Sequence, residues 1–360
     1  MKKLGFVLLV AALMLSFSSI MAQDMAGCSD TWENMSAELT SACAGELAGT
    51  VVTMTGPFTD EDEVKFNDSI AAFEAATGID IQYTGTKEFE VIITPTVQGG
   101  DVVDVSTFLD PAHIEANYTE SWRDMATIGG PDGEITAGVW ARFNGKSLVW
   151  YPVQAFADAG YEVPTTWDEM IALSDQIVAD GGTPWCVGIE SGAATGWPAT
   201  DWIEEVMLRT TTLENYDNWS FPADAASRLS FSSPEVMNAA TVLGNLWFTE
   251  NYVMGGREAI ASTFFGDAPV PMFDDPAGCY MHKQGNFITS FFPEGSVAGE
   301  DYSFFYLPAI DEEYGRPFLV AGDIYAMFND RAEVRAVMDF FSRGESVRAW
   351  LGSGGALSPH

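Results

Sequence analysis

Val51 to Tyr83 reads VVTMTGPFTDEDEVKFNDSIAAFEAATGIDIQY. It opens on Val51-Val52-Thr53-Met54-Thr55, a run of strand-forming residues. A helix is expected next. Thr59 and Asp62 fit a capping box, Val64, Phe66, Ile70 and Phe73 supply the apolar positions, and Gly78 supplies the stop. Ile79 to Tyr83 is a second strand. Strand, helix and strand within about thirty residues make a βαβ unit, which implies an α/β fold with a parallel sheet and helices on its faces.

The pattern recurs downstream. Lys146 to Tyr151 reads as a strand and Pro152 to Ala159 as a helix closed by Gly160. In VPTTWDEMIALSDQIVADGG, Thr166 with Glu169 is a capping box, Trp167, Ile171 and Ile177 mark one apolar face, and Gly181 ends the helix. Trp185 to Ile189 is a strand, and Pro198 to Leu208 a helix with its proline in the first turn. A further helix runs from Ser233-Pro234 to about Glu250. Val270 to Phe273, Tyr302 to Leu307 and Phe318 to Phe328 read as strands, and Arg331 to Phe341 as a helix.

The chain has 360 residues, 47% of them hydrophobic, enough for two lobes with separate cores. Acidic residues outnumber basic ones 52 to 16, giving a formal charge of −36. That excludes nucleic-acid binding and a polybasic membrane patch, both of which rest on Lys and Arg. Met1-Lys2-Lys3 followed by an apolar run from Leu4 to Met21 is a secretory signal peptide with cleavage after Ala22. Met25-Ala26-Gly27-Cys28 resembles a lipobox, so a lipid anchor on Cys28 is an alternative, although Gln23 and Asp24 interrupt the apolar run before it. Residues 23–49 read as a tail or linker.

The four cysteines allow three pairings. Cys28–Cys43 with Cys186–Cys279 is the simplest in an exported chain. No CxxC occurs and His113, His282 and His360 are scattered, so no metal is expected.

GIESGAATGWPATDW, from Gly188 to Trp202, places two indoles beside Glu190 and Asp201 in a glycine-rich loop. The loop joins a strand to a helix, where ligands of α/β sheets sit. Aromatic faces suit the apolar C–H surface of sugars, and carboxylates accept hydroxyl hydrogens. The same set could hold a polyamine by cation–π contact. Trp202, beside Ile203 and Val206, is expected in the core, and Trp197 in the site. A glycosidase would need a facing pair of carboxylates, for which Glu190, Asp201, Glu204, Glu205, Asp274 and Asp275 are available. No GxSxG, Walker loop or HExxH is present, and the chain is not expected to be an enzyme.

KSLVWYPVQAFADAGYEVPTTWDEM resembles the extracellular solute-binding proteins of ABC importers, family 1. TFFGDAPVPMFDDPAGC and DYSFFYLPAIDEEYGRPFLVAGDIYAMFND are similar to later segments of that family, closest to its α-glucoside-binding branch. The resemblance implies two discontinuous α/β lobes joined by a hinge that close over a sugar. Lobe one would take 50–140 plus 253–318, and lobe two 141–252 plus 319–360. It implies Glu190 and Trp197 as ligand residues on lobe two, and Asp323 in the VAGD turn; the loop's own chemistry adds Asp201, and Gly322 would let the backbone turn tightly or approach the ligand. Thr55, Pro57, Phe58 and Glu88 would follow on lobe one. It implies no cofactor, a monomer, permease subunits as partners, and a periplasmic or extracellular location. The Cys186–Cys279 bridge would then tie the two lobes near the hinge. Two departures stand out. Asp101 runs straight into Val102 where the family has about twenty more residues, and the chain stops at His360 where the family adds a helical ending, so a truncated C-terminus is expected.

Overall fold

The computed structural model describes residues 27–100, 102–130 and 133–360. The expected signal peptide and the junction at Asp101 lie outside these residues. The chain forms two compact units. Unit 1 comprises residues up to Arg142, Gly322–Ser353 and Ser358–His360; unit 2 comprises Phe143–Ala321 and Gly354–Leu357.

Unit 1 begins with α1 (Ala37–Cys43), β1 (Val51–Gly56), α2 (Glu61–Thr77), β2 (Asp80–Gly85) and α3 (Phe89–Gln98). It continues through α4 (Pro111–Asn117), α5 (Glu120–Met125), β3 (Thr127–Gly130), β4 (Gly133–Thr136) and β5 (Gly138–Gly145). β1 and β2 pair in parallel with Val52 opposite Ile81, which is the βαβ unit read from the sequence. The capping box does not form: α2 starts after Asp60, whose side chain makes no cap, and Glu61, Asp62 and Glu63 in the first turn suit the helix dipole instead. Gly78 closes the helix in the left-handed region at φ 72°.

Residues 27–49 are not a tail. The Cys28–Cys43 disulfide closes a loop around α1, whose Leu39 and Ala42 are fully buried. The Ser36 N–H donates to Asp339 Oδ2 at 2.7 Å, and Arg343 donates to the Glu33 carbonyl at 3.2 Å. The Cys28 sulfur is committed to this bridge, which leaves no thiol for a thioether-linked lipid.

Unit 2 holds β6 (Leu148–Pro152), α6 (Val153–Ala159), α7 (Trp167–Ala179), α8 (Trp197–Leu208), α9 (Leu213–Ser220), α10 (Pro234–Trp247), β7 (His282–Lys283) and β8 (Tyr302–Tyr306). The capping box at Thr166 and Glu169 is complete. The sheet order is β7-β6-β8, all antiparallel, with Val149 opposite Phe305. Trp185–Ile189 is not a full strand: Trp185 makes isolated bridges to Val253 and Met281, and the following Glu190 makes one to Phe264. Val270–Phe273 is a 3₁₀ turn, since Pro271 has no N–H for a strand ladder.

The chain returns to unit 1 within β9 (Val320–Ala326), which pairs with β5, and ends in α11 (Ala332–Phe341) and α12 (Arg348–Ser353). Phe73 stacks on Phe340 at 4.2 Å and Tyr325 on Phe341 at 4.0 Å, so the C-terminal helices complete the core begun by α2. The division therefore differs from the expected one. Residues 253–318 fold with unit 2, and Gly322–Ser353 folds with unit 1. Cys186–Cys279 consequently lies inside unit 2, among Leu148, Trp150, Met272 and Ile288, and ties no lobe to another.

Burial lowers the pKa of all three histidines. His282 and His360 fall to about 4, and His113 falls below its ordinary value. The unfolded chain takes these protons near pH 6.5, whereas the native state resists them. Stability is therefore full above about pH 6.5 and lost progressively as pH falls toward 4, by on the order of 3 kcal/mol for each of His282 and His360. Urea midpoints at pH 7, 5.5 and 4.5 check this, and His282→Gln should flatten the dependence; a flat wild-type profile would contradict it.

Candidate functional site

In unit 2 the Gly188–Trp202 stretch is pinned at its start. Glu190 N–H donates to the Thr263 carbonyl at 3.0 Å, and Phe265 N–H donates to the Glu190 carbonyl at 3.1 Å. Gly196, at φ 112°, then turns the chain into α8, a conformation a side chain would strain. Trp197 emerges at the first residue of that helix, half-buried. It meets Phe265 edge-on at 4.9 Å and Phe287 at 5.8 Å, and Phe265 continues to Phe291 at 5.1 Å. The result is an aromatic surface rather than a lone indole.

A cation stands on that surface. Lys146, only 7% exposed, sets its Nζ 4.8 Å from the Trp197 ring centre and 5.3 Å from that of Phe287. The same Nζ donates to Asp201 Oδ2 at 2.8 Å. Asp201 thus serves the protein's own lysine. Behind it, Lys283 donates to the Asp201 carbonyl at 3.1 Å and lies 3.8 Å from Glu205, which is paired with Arg209. Burial pushes the Lys283 pKa down, and Glu205 and then Asp201 oppose that shift. Glu190 Oε1 accepts the Gly192 N–H at 2.6 Å, so this carboxylate closes its own turn with one oxygen. Trp202 is in the core as expected, against Trp185 and Trp247.

In unit 1 the expected residues gather around Arg142. Its Nε donates to Asp323 Oδ2 at 2.8 Å and its Nη1 lies 3.0 Å from Asp62. The guanidinium also covers Phe58 at 4.6 Å and Trp350 at 4.1 Å. Phe58 is 3% exposed, its N–H donating to the Tyr83 hydroxyl at 2.8 Å. It is a core ring, not an open platform. Asp323 and Gly322 lie in strand β9, not in a turn. Gly322 is required by close packing: a Cβ there would come within 2.8 Å of the Trp140 ring. Thr55 is exposed on β1 and donates to the Thr84 carbonyl at 3.1 Å; Glu88 is exposed at the head of α3.

The structure thus unites Glu190, Trp197 and Asp201 in unit 2, and Phe58, Gly322 and Asp323 in unit 1. Sequence reading missed Lys146, Phe265 and Phe287 in the first group and Arg142, Asp62 and Trp350 in the second. One signal was available: Arg142 and Lys146 are the two charged residues in the largely apolar run VWARFNGKSLVWY of a chain with 16 cations. Buried cations need partners.

Asp323→Asn should now cost stability as well as any binding. It removes the charge from a partner of a nearly buried arginine, worth about 1.5–3 kcal/mol. Chemical denaturation of the variant measures this; an unchanged midpoint would reduce Asp323 to a bystander of Arg142.

Residues 59–345 match the family described as bacterial extracellular solute-binding protein. The osmoprotective compounds-binding protein GgtB of Synechocystis sp. is 41% identical over 332 residues, covering 86% of this chain and 76% of that protein. The alpha-glucosides-binding periplasmic protein AglE of Rhizobium meliloti is 38% identical over 344 residues, covering 88% of this chain and 73% of its own. Among solved structures, the bacterial solute receptor AcbH aligns with a TM-score of 0.67 at 18% identity, over 86% of this chain and 81% of that one. These likenesses carry the two-lobed α/β fold class read from the sequence. The chain is a member of the bacterial extracellular solute-binding protein family.

Proposed function

We propose that this chain is the exported substrate-binding component of a carbohydrate ABC importer, capturing a neutral α-glucoside or similar oligosaccharide as a monomer and handing it to permease subunits. Membership in an extracellular solute-binding family supports a location outside the cytoplasm and a task of binding rather than catalysis. The name of AglE supports a glucoside ligand. The observation that carries the reading is the half-exposed aromatic surface of Trp197 and Phe265, with the acid beside it already neutralised by Lys146. Such a surface offers partly exposed aromatic carbon to sugar C–H groups without a net charge to satisfy. In unit 2, Glu190 is the polar group proposed to meet ligand hydroxyls beside that surface; in unit 1, Asp323, Thr55 and Glu88 are proposed as separate hydroxyl-binding candidates.

Polyamine capture is the weaker reading. The position over the Trp197 face that an ammonium would take is held by Lys146. The carboxylates available to a hydrolase are likewise engaged or dispersed. Glu205 is sealed in the core with Arg209, Asp201 holds Lys146, and Asp274 and Asp275 are exposed in a bend.

A thermal-shift screen of α-linked di- and oligosaccharides, with putrescine and spermidine alongside, tests the proposal. Ligand at a hundred times its Kd stabilises by about 2.7 kcal/mol. A shift with a neutral sugar is expected. A shift with the polyamines alone would overturn the reading.

A further inference from the structure

We infer that the Lys146–Asp201 ion pair is a specificity filter that sets the ligand's charge class, held in register by a buried charge ladder behind it. The inference rests on the carbohydrate reading above and adds to it the residues that restrict the sugar to an uncharged one.

The two members come from distant parts of unit 2. Lys146 follows Gly145 at the end of β5, and Asp201 lies one turn into α8. Their side chains are 9% and 15% exposed, so each lies beside the half-exposed indole while being largely shielded from solvent. A pair this sheltered is weakly screened by salt, and its field reaches the ligand surface. While both are charged they cancel. Removing the Asp201 charge leaves the Lys146 ammonium uncompensated 4.8 Å from the Trp197 ring centre, and removing Lys146 leaves the sheltered Asp201 carboxylate without its partner.

The ladder explains why the pair keeps its geometry. Lys283 donates to the Asp201 main-chain carbonyl, and so fixes the backbone rather than the carboxylate. It is fixed in turn by Glu205, and Glu205 by Arg209, which donates to the carbonyls of Pro308 and Pro317 at 3.0 Å each. Glu204 completes the set, with its pKa raised by burial and then by Asp201. Around the filter stand three basic side chains, Lys146, Lys283 and Arg209, and three acidic ones, Asp201, Glu204 and Glu205. A surface that needed a charged ligand would have no use for a cation and an anion that consume each other at its edge.

The filter predicts opposite conversions. Asp201→Asn keeps size and hydrogen bonding but frees the Lys146 charge, so the site should turn toward anions. Lys146→Met keeps the apolar stem and frees the Asp201 charge, so the site should turn toward cations. The double variant Lys146→Met/Asp201→Asn restores neutrality and guards against misreading a folding defect.

The test is calorimetric titration of the wild type and the three variants. Maltose, trehalose and sucrose serve as neutral probes, maltobionate and trehalose 6-phosphate as anionic ones, and spermidine as the cationic one. Wild type is expected to bind a neutral probe and reject its charged counterparts. Asp201→Asn should raise the ratio of anionic to neutral affinity at least tenfold, Lys146→Met should raise that for spermidine at least tenfold, and the double variant should return to the wild-type order. If wild type binds a neutral sugar but the single variants keep its preferences, the filter is overturned and the carbohydrate reading stands. If wild type binds only a charged probe, the filter and the reading fall together. If the single variants do not fold while the double variant folds, the preference of the double variant decides: a neutral preference supports the filter, and a charged one overturns it.

Discussion

Arg209→Met is expected to destabilise the protein by about 3–5 kcal/mol, the scale for breaking a buried ion pair by removing one partner. Arg209 is fully buried. Its guanidinium meets the Glu205 carboxylate and donates to the carbonyls of Leu307 at 3.3 Å, Pro308 at 3.0 Å and Pro317 at 3.0 Å. Methionine fills much of the volume and satisfies none of these acceptors. Glu205 would keep only Lys283, at 3.8 Å, for its charge. Three carbonyls would lose donors, those of Leu307 and Pro308 in buried positions, and each unmade buried bond is costly. Urea denaturation followed by tryptophan fluorescence measures the loss. A contrasting change is Lys87→Met, at an exposed ion pair 3.9 Å from Asp60, where less than about 1 kcal/mol is expected. Equal midpoints for the two variants would mean that the ladder contributes nothing.

Trp202→Ala is expected to cost about 3–5 kcal/mol in folding, as for other large-to-small changes of buried aromatic residues. Trp202 is 3% exposed and meets Trp185 at 5.8 Å and Trp247 at 6.2 Å, both edge-on. Its removal opens a void at the junction of three indoles. Trp197→Ala should act the other way. The ring is half-exposed, so folding loses about 1 kcal/mol, while sugar binding loses about 2 kcal/mol, the scale of an aromatic anchor at a binding surface. Melting and titration of the two variants separate the roles; a Trp197 variant that melts lower than the Trp202 variant would reverse them.

The parts of the fold visible in the sequence are those with local periodicity. The βαβ unit at Val51–Tyr83, the capping box at Thr166 and the stop at Gly78 each depend on residues within one or two turns of each other. The division into units was not visible, because Val253 to Ala321 carries little periodic structure. That segment is held by bridges such as Trp185 to Val253 and Met281, and by the Cys186–Cys279 disulfide. Residues 27–49 looked like a linker for a related reason. Their anchors, Asp339 and Arg343, lie some three hundred positions away. In the site, Glu190, Trp197 and Asp201 were legible because they are neighbours in the chain. Their significance changed once Lys146 took its place beside them: a pair of carboxylates that suited a cation became, for Asp201, half of a neutral pair. A sequence reports which charges exist but not which of them meet.

The most direct test of the central claim is an isothermal titration of the purified mature protein with a neutral α-linked disaccharide such as trehalose or maltose, at low and at high salt. Saturable one-to-one binding is expected, with an affinity nearly indifferent to salt, since the ligand carries no charge to be screened. Binding only of spermidine, with an affinity that falls steeply as salt is added, would contradict it.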